Sequence, residues 1–161
     1  MKIAVCPGSF DPVTVGHLDL VERAAAVFDR VILCVMVNGE KRHMFSLEER
    51  LEMARAAAAH LPSVQAEACG GLLADFARER GACALAKGIR GGADLDWETQ
   101  MAQINRDLHP GLDTVFFPAR PEHLHISSTL AREMIRHGQA LDRYIPSGAM
   151  DVLARIRQGK V

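Results

Sequence analysis

The sequence predicts an α/β fold: a parallel five-stranded sheet with helices on both faces, in a single domain spanning residues 1–161. Three observations predict it. Short apolar runs alternate with longer stretches of helical periodicity, which implies right-handed βαβ crossovers. The clearest run, Val31 to Val37, is unbroken rather than alternating, as suits a strand covered on both faces. The chemically loaded loops (7–17, 38–45, 87–98 and 118–129) all fall at strand C-terminal ends, where ligands of such sheets sit.

In chain order, Ile3 to Cys6 reads as the first buried strand, broken by Pro7-Gly8-Ser9, with Pro12 fixing a turn. A helix then begins near Gly16-His17, with Leu18, Val21, Ala25 and Phe28 on one face. Val31 to Val37 is the second strand, and 38–43 a polar loop. Ser46-Leu47-Glu48-Glu49 is a capping box, opening a helix with Leu47, Leu51, Ala54 and Ala58 inward and ended by Pro62. Val64 to Cys69 is a weaker strand, Leu72 to Arg80 a helix closed by Gly81, and Ala82 to Ala86 a small-residue strand. Lys87 to Gly92 follows as a loop, and Asp94 caps a helix to Leu108. Thr114 to Phe117 is the fifth strand. Ile126-Ser127-Ser128-Thr129 leads into a helix ending near Gly138, and Ala149 to Gln158 is a last amphipathic helix.

Apolar residues make up 48% and charged residues 24%, as in an ordinary globular domain with a real core. A net charge of −1 argues against a general nucleic-acid or membrane surface, so an anionic ligand needs a local basic site. The placement of Lys41, Arg42, Lys87 and Arg90 therefore matters more than the total. The N-terminus shows no signal-peptide layout and no apolar run approaches a membrane span, so a cytoplasmic location is expected. Cys6, Cys34, Cys69 and Cys83 lack any CxxC spacing, lie in or at the end of predicted strands, and fit a reducing compartment.

Strand, glycine loop and helix N-terminus make a geometry for holding a phosphate, with free N–H groups and the helix dipole pointing at the ligand. His17, in the first turn, has its proton affinity lowered by that dipole and can still donate to phosphate; otherwise it is a solvated ring beside a tight turn. Gly16 lets the ligand approach the backbone. Capping explains one hydroxyl of Ser127-Ser128-Thr129, and three in a row favour an anion site. Lys87-Gly88-Ile89-Arg90 suits a polyphosphate clamp or is a solvated basic loop, and Lys41 has the same two readings. Arg132 adds charge or is solvated, and Glu98 binds a ribose or lies on a helix face. His123 and His125 could line a base pocket; too few acids flank them for a metal site. His43, His60, His109 and His137 read as surface residues.

Pro7-Gly8-Ser9-Phe10-Asp11-Pro12, Thr14-Val15-Gly16-His17 and Ile126-Ser127-Ser128-Thr129 together resemble the signatures of the nucleotidylyltransferase superfamily. Within it, Lys41-Arg42-His43-Met44-Phe45 with Leu47-Glu48-Glu49-Arg50, and Lys87-Gly88-Ile89-Arg90 with Ala93-Asp94 and Trp97-Glu98, look closest to the bacterial phosphopantetheine adenylyltransferase family. The resemblance covers essentially the whole chain. It implies a Rossmann-like fold, Mg²⁺, a homohexamer, and transfer of AMP from ATP to 4′-phosphopantetheine.

By that resemblance His17, Lys41 and Arg90 are catalytic. ATP is contacted by Ser9, Phe10, His17, Gly88, Ile89, Arg90 and Glu98, and by His123, Leu124, His125, Ile126, Ser127, Ser128 and Thr129. Phosphopantetheine is contacted by Ser9, Lys41, Leu73 and Lys87. No protein-held metal, nucleic-acid partner or membrane partner is implied. The chain departs from the common pattern with Ser9 for Thr, Lys87 where Arg also occurs, and His123-Leu124-His125 for a more aromatic segment. The competing readings are a sibling enzyme acting on another acceptor, such as nicotinate mononucleotide, and a nucleotide sensor without turnover.

Overall fold

The computed structural model describes residues 1–159. Five strands lie in one parallel sheet: β1 (Ile3–Gly8), β2 (Arg30–Met36), β3 (Val64–Cys69), β4 (Ala84–Ile89) and β5 (Asp113–Pro118), in the order β3-β2-β1-β4-β5. Six helices connect or follow them: α1 (Val15–Ala25), α2 (Leu47–Ala57), α3 (Leu73–Glu79), α4 (Gly92–Leu108), α5 (Ser128–Arg136) and α6 (Ser147–Gln158). The predicted α/β architecture is the one observed.

The period of two along the strands divides the core. Ala4, Cys6, Val31, Leu33 and Val35 face one layer, made by α1, α2, α5 and α6 through Val21, Ala24, Met53, Ala54, Ala131 and Leu153. Ile3, Val5, Ile32 and Cys34 face the other, packed against Ala74, Phe76 and Ala77 of α3. Full burial of each large side chain stabilises by about 1.5–3 kcal/mol, so the central strands anchor the molecule.

Several boundaries differ from the sequence expectation. β1 does not stop at Cys6: Pro7 and Gly8 stay in register with Cys34 and Val35. Proline is tolerated there because β1 has already parted from its other neighbour, pairing with β4 only at Ala4↔Ala84 and Val5↔Leu85. Likewise β4 starts at Ala84, so Cys83 lies outside it and is exposed, and it runs on through Lys87-Gly88-Ile89, opposite Phe116, Phe117 and Pro118. The first half of the basic segment read as a loop, Lys87 to Ile89, is thus strand, while Arg90 and Gly91 form the connection to α4 as expected. The capping box of α2 forms as predicted, with Glu49 N–H donating to Ser46 Oγ (3.2 Å) and Ser46 N–H to Glu49 Oε2 (2.8 Å). Its predicted inward residues Leu47, Leu51, Ala54 and Ala58 all pack on the core, and the buried face is wider than expected, taking in Arg50, Met53 and Ala57 as well. Asp94 is not the cap of α4. The cap is Gly91, and Asp94 reaches back from the third helical position to accept the Arg90 N–H at 3.1 Å.

Candidate active site

Because β1 and β4 separate after Val5 and Leu85, the sheet forks at the point where strand order reverses. A cleft of about 430 Å³ opens there, with Pro7, Ala86, Lys87 and Gly88 on its floor. The loop after β1, the loop after β2 and the N-terminus of α5 close around it.

On the β1 side the loop is pinned from three directions. Buried Arg50 of α2 donates Nη1–H to the carbonyls of Ser9 (2.8 Å) and Met36 (3.1 Å). Arg132 of α5 donates to the Asp11 carbonyl at 2.7 Å, and Ser128 Oγ–H to the Pro12 carbonyl at 2.8 Å. Phe10 takes a positive φ of 47° and turns its ring back under Gly8, where an added Cβ would stand 2.9 Å from the ring. The ring is buried and meets the edge of His17 at 5.0 Å between centroids. Phe10 thus supports His17 from below and does not line the cleft.

His17 sits at the third position of α1, in a reciprocal cap with Thr14. Its Nδ1 accepts the Thr14 N–H at 3.0 Å, so the neutral ring carries its proton on Nε2. Burial, and secondly the charge of Arg90, lower its pKa from 6.5 to about 4. The sequence attributed that lowering to the helix dipole; these are nearer causes. At neutral pH His17 is an uncharged donor on the cleft wall. The expectation of several free amides at this helix start needs correction. Val15 N–H is taken by the Tyr144 carbonyl (2.9 Å) and His17 N–H by Thr14 Oγ1 (3.3 Å), which leaves the amide of Gly16. A Cβ at Gly16 would touch the chain only at ordinary distances, 3.7 Å or more, so the space that glycine keeps open belongs to the cleft.

The hydroxyl run also has work within the chain. Ser127 caps α5 by accepting Leu130 N–H (3.1 Å), Ser128 pins Pro12, and Thr129 Oγ1 accepts from Arg132 (3.1 Å). All three residues still line the cleft, and the amides of Ser128 and Thr129 belong to the first turn, which has no intrahelical acceptor.

Six cations and four carboxylates face the cleft, and every carboxylate has a cationic partner. Asp19 pairs with Arg23 (3.4 Å), Glu98 with Lys87 (3.0 Å), Asp94 with Arg90 (3.3 Å) and Asp11 with Arg132 (3.7 Å). Lys41 and Arg42 have no ion-pair partner among the described residues, so the uncompensated positive charge stands on the loop after β2.

Of the predicted site residues, the fold brings together Ser9, His17, Lys41, Lys87, Gly88, Arg90, Glu98, His123, Ile126, Ser127, Ser128 and Thr129. Leu73 packs against the opposite core layer, Ile89 spends its carbonyl on Ala119 N–H (2.8 Å), and Leu124 is exposed, as is His125; none of the four lines the cleft. His43, read as a surface residue, does line it, and its Nε2 is buried without a partner. His123 Nδ1 is in the same condition. Arg50 was missed because it is charged, although its spacing with Met53, Ala54 and Ala57 is that of a buried stripe.

The profile of the Cytidylyltransferase-like family matches residues 5–134. A phosphopantetheine adenylyltransferase of Renibacterium salmoninarum is 48% identical over 161 residues, covering 99% of this chain and 98% of the relative. One of Symbiobacterium thermophilum is 47% identical over 143 residues, covering 89% and 88%. Among solved structures, a Vibrio parahaemolyticus protein assigned as a nicotinate-nucleotide adenylyltransferase superimposes with a TM-score of 0.71 at 19% identity, covering 96% of this chain and 93% of that one, a likeness of fold alone.

Proposed function

The chain belongs to the cytidylyltransferase-like family, and from that premise we propose that it transfers the adenylyl group of ATP to 4′-phosphopantetheine, giving dephospho-coenzyme A and pyrophosphate. The observation that carries this reading is the juxtaposition at the fork. A neutral His17 donor stands on one wall and the unpaired cations Lys41 and Arg42 on another, in a chain matched end to end by relatives of that name.

In this reaction a phosphate oxygen of the acceptor attacks the α-phosphorus. The bond to the bridging oxygen breaks, and its electron pair leaves with pyrophosphate. The acceptor is already an anion, so the protein's work is in-line positioning and charge stabilisation. We assign His17 Nε2–H to the oxygen on which charge develops, with Lys41 and Arg90 neutralising charge beside it. Ser9, Lys41 and Lys87 are assigned to the acceptor, with Lys87 exchanging Glu98 for its phosphate. Gly88, Arg90, Glu98, His123 and the segment Ile126 to Thr129 are assigned to ATP. Leu73, Phe10, Ile89, Leu124 and His125 keep at most indirect parts.

Mg²⁺ enters the proposal only as a companion of the triphosphate, held by its oxygens and water. No group of three or more His, Cys, Asp or Glu able to hold a metal occurs among the described residues, and the cleft carboxylates are already paired, so no step is routed through a protein-held ion. A homohexamer in the cytoplasm completes the proposal. It is supported by the apolar side chains that α4 exposes (Leu95, Trp97, Ile104 and Leu108) and by the reduced thiols of Cys6, Cys34 and Cys69. No helix among the described residues is long and apolar enough to cross a membrane.

The test is pyrophosphate release from ATP and Mg²⁺ with 4′-phosphopantetheine or nicotinate mononucleotide as acceptor. Release with phosphopantetheine alone is expected. Release with only the mononucleotide overturns the acceptor, and ATP binding without release under either condition points to a sensor.

A further inference from the structure

We propose that Asp11 is a positioning residue for Lys41: its carboxylate, braced by Arg132, carries the Met44–Phe45 backbone and so fixes where the lysine stands in the cleft. Asp11 is buried, and each of its oxygens accepts one N–H from the loop after β2. Met44 N–H reaches Oδ2 and Phe45 N–H reaches Oδ1, both at 2.9 Å. Such bonds to a carboxylate are stronger than neutral ones and fix direction as well as distance.

The anchor itself does not move freely. Arg132 holds the Asp11 carbonyl at 2.7 Å and stands 3.7 Å from its carboxylate. Ser128 holds the carbonyl of Pro12 and Arg50 that of Ser9. By contrast, the bonds near Lys41 are local to the loop. Lys41 N–H donates to the Asn38 carbonyl (3.3 Å) and Glu40 N–H to Asn38 Oδ1 (3.0 Å), which shape a turn without locating it against the sheet. Lys41 carries its charge on a flexible four-carbon stem, so a small error at its base becomes a large one at Nζ. A misplacement of about 1 Å in a catalytic constellation can cost on the order of 100-fold in rate.

The first arm of the test needs no activity. Trypsin cuts after Lys41 and Arg42, so nicking in this loop, read by peptide mass, reports how firmly it is held. In full-length Asp11→Asn, one acceptor becomes an amide facing a donor. Loop nicking should accelerate about tenfold, equivalent to about 1.4 kcal/mol, with other tryptic sites unchanged. Unchanged nicking in the folded variant overturns the proposal. If all sites open together because Asp11→Asn unfolds, Arg132→Gln removes the brace instead. Loop nicking about threefold faster is then expected, consistent with losing part of one charged hydrogen bond, and an unchanged rate again overturns the proposal.

The second arm rests on the function proposed above. Asp11→Asn should lower kcat/KM for 4′-phosphopantetheine about tenfold in the native background and less than about twofold in Lys41→Ala, since residues acting through one another are not additive. Equal losses in both backgrounds overturn the proposal. If the native protein releases no pyrophosphate, the functional reading fails and the nicking result still decides the role of Asp11.

Discussion

Two substitutions at His17 separate its two jobs. Nδ1 accepts the Thr14 N–H at 3.0 Å and closes the cap of α1, while Nε2 is left to donate into the cleft. Asparagine places an acceptor where Nδ1 was but does not reach the Nε2 position. Glutamine reaches that position but forfeits the cap. Loss of one donor to developing charge lowers kcat by about 100- to 1,000-fold, or about 3–4 kcal/mol. Loss of a cap lowers stability by about 1 kcal/mol. His17→Asn should therefore unfold in urea within about 0.5 kcal/mol of the native protein, bind ATP nearly as well, and lose about 100-fold or more in kcat. His17→Gln should retain more activity than His17→Asn and lose the stability of the cap. The measurements are steady-state pyrophosphate release, ATP affinity by calorimetry and urea midpoints, all at pH 7.5. Equal losses in kcat and ATP affinity for His17→Asn would show that His17 binds the ground state, and the transition-state role would be wrong.

Acidity tests the same group. With the folded pKa near 4 and the ordinary value 6.5, the unfolded chain binds more protons in between, so the contribution of His17 makes the fold less stable as pH falls through that window. The urea midpoint of the native protein should drop further between pH 7 and pH 4.5 than that of His17→Asn, and parallel drops would refute the buried neutral imidazole. Arg50→Met removes the only partner described here for the Ser9 and Met36 carbonyls; it should cost about 3 kcal/mol by denaturation, and an unchanged midpoint would contradict the tie. A Cβ at position 148 would collide with the Ala56 carbonyl oxygen, so Gly148→Ala should force α6 away from α2 and cost about 1–3 kcal/mol; a neutral midpoint would deny that close packing. Trp97, 61% exposed on α4, should be an assembly contact: Trp97→Glu is expected to sediment as a smaller species, and a monomeric native protein would refute that reading.

The sequence made the architecture legible because apolar period and capping are local signals. Ser46 and Glu49 lie three residues apart, and their box formed as read. What escaped depends on partners far along the chain. Pro7 looked like a strand end, and only the parting of β4 from β1 shows why a residue without N–H remains in the ladder. Lys87 looked like a free cation, and its partner Glu98 lies on the following helix. The low pKa of His17 was anticipated, yet its causes, burial and Arg90, need three dimensions. Most of the candidate site was visible as motifs, whereas Arg50, Asp11 and His43 became functional candidates only through what they face. A charge in a helix stripe, an acid inside a motif and a lone histidine each have a plainer local explanation.

The fork in the sheet has a consequence for how this protein could diverge. Along β1, Ile3 to Cys6 is enclosed by core, while Pro7 borders the cleft. One short strand thus answers to two different demands, folding at its start and chemistry at its end, with the border falling between adjacent residues. A lineage could rewrite the loops that the open end carries, and so exchange one acceptor for another, while the closed end preserves the scaffold. The same division tells an engineer where a library should stop: beyond Cys6, variation explores reactions, and before it, variation explores only survival of the fold.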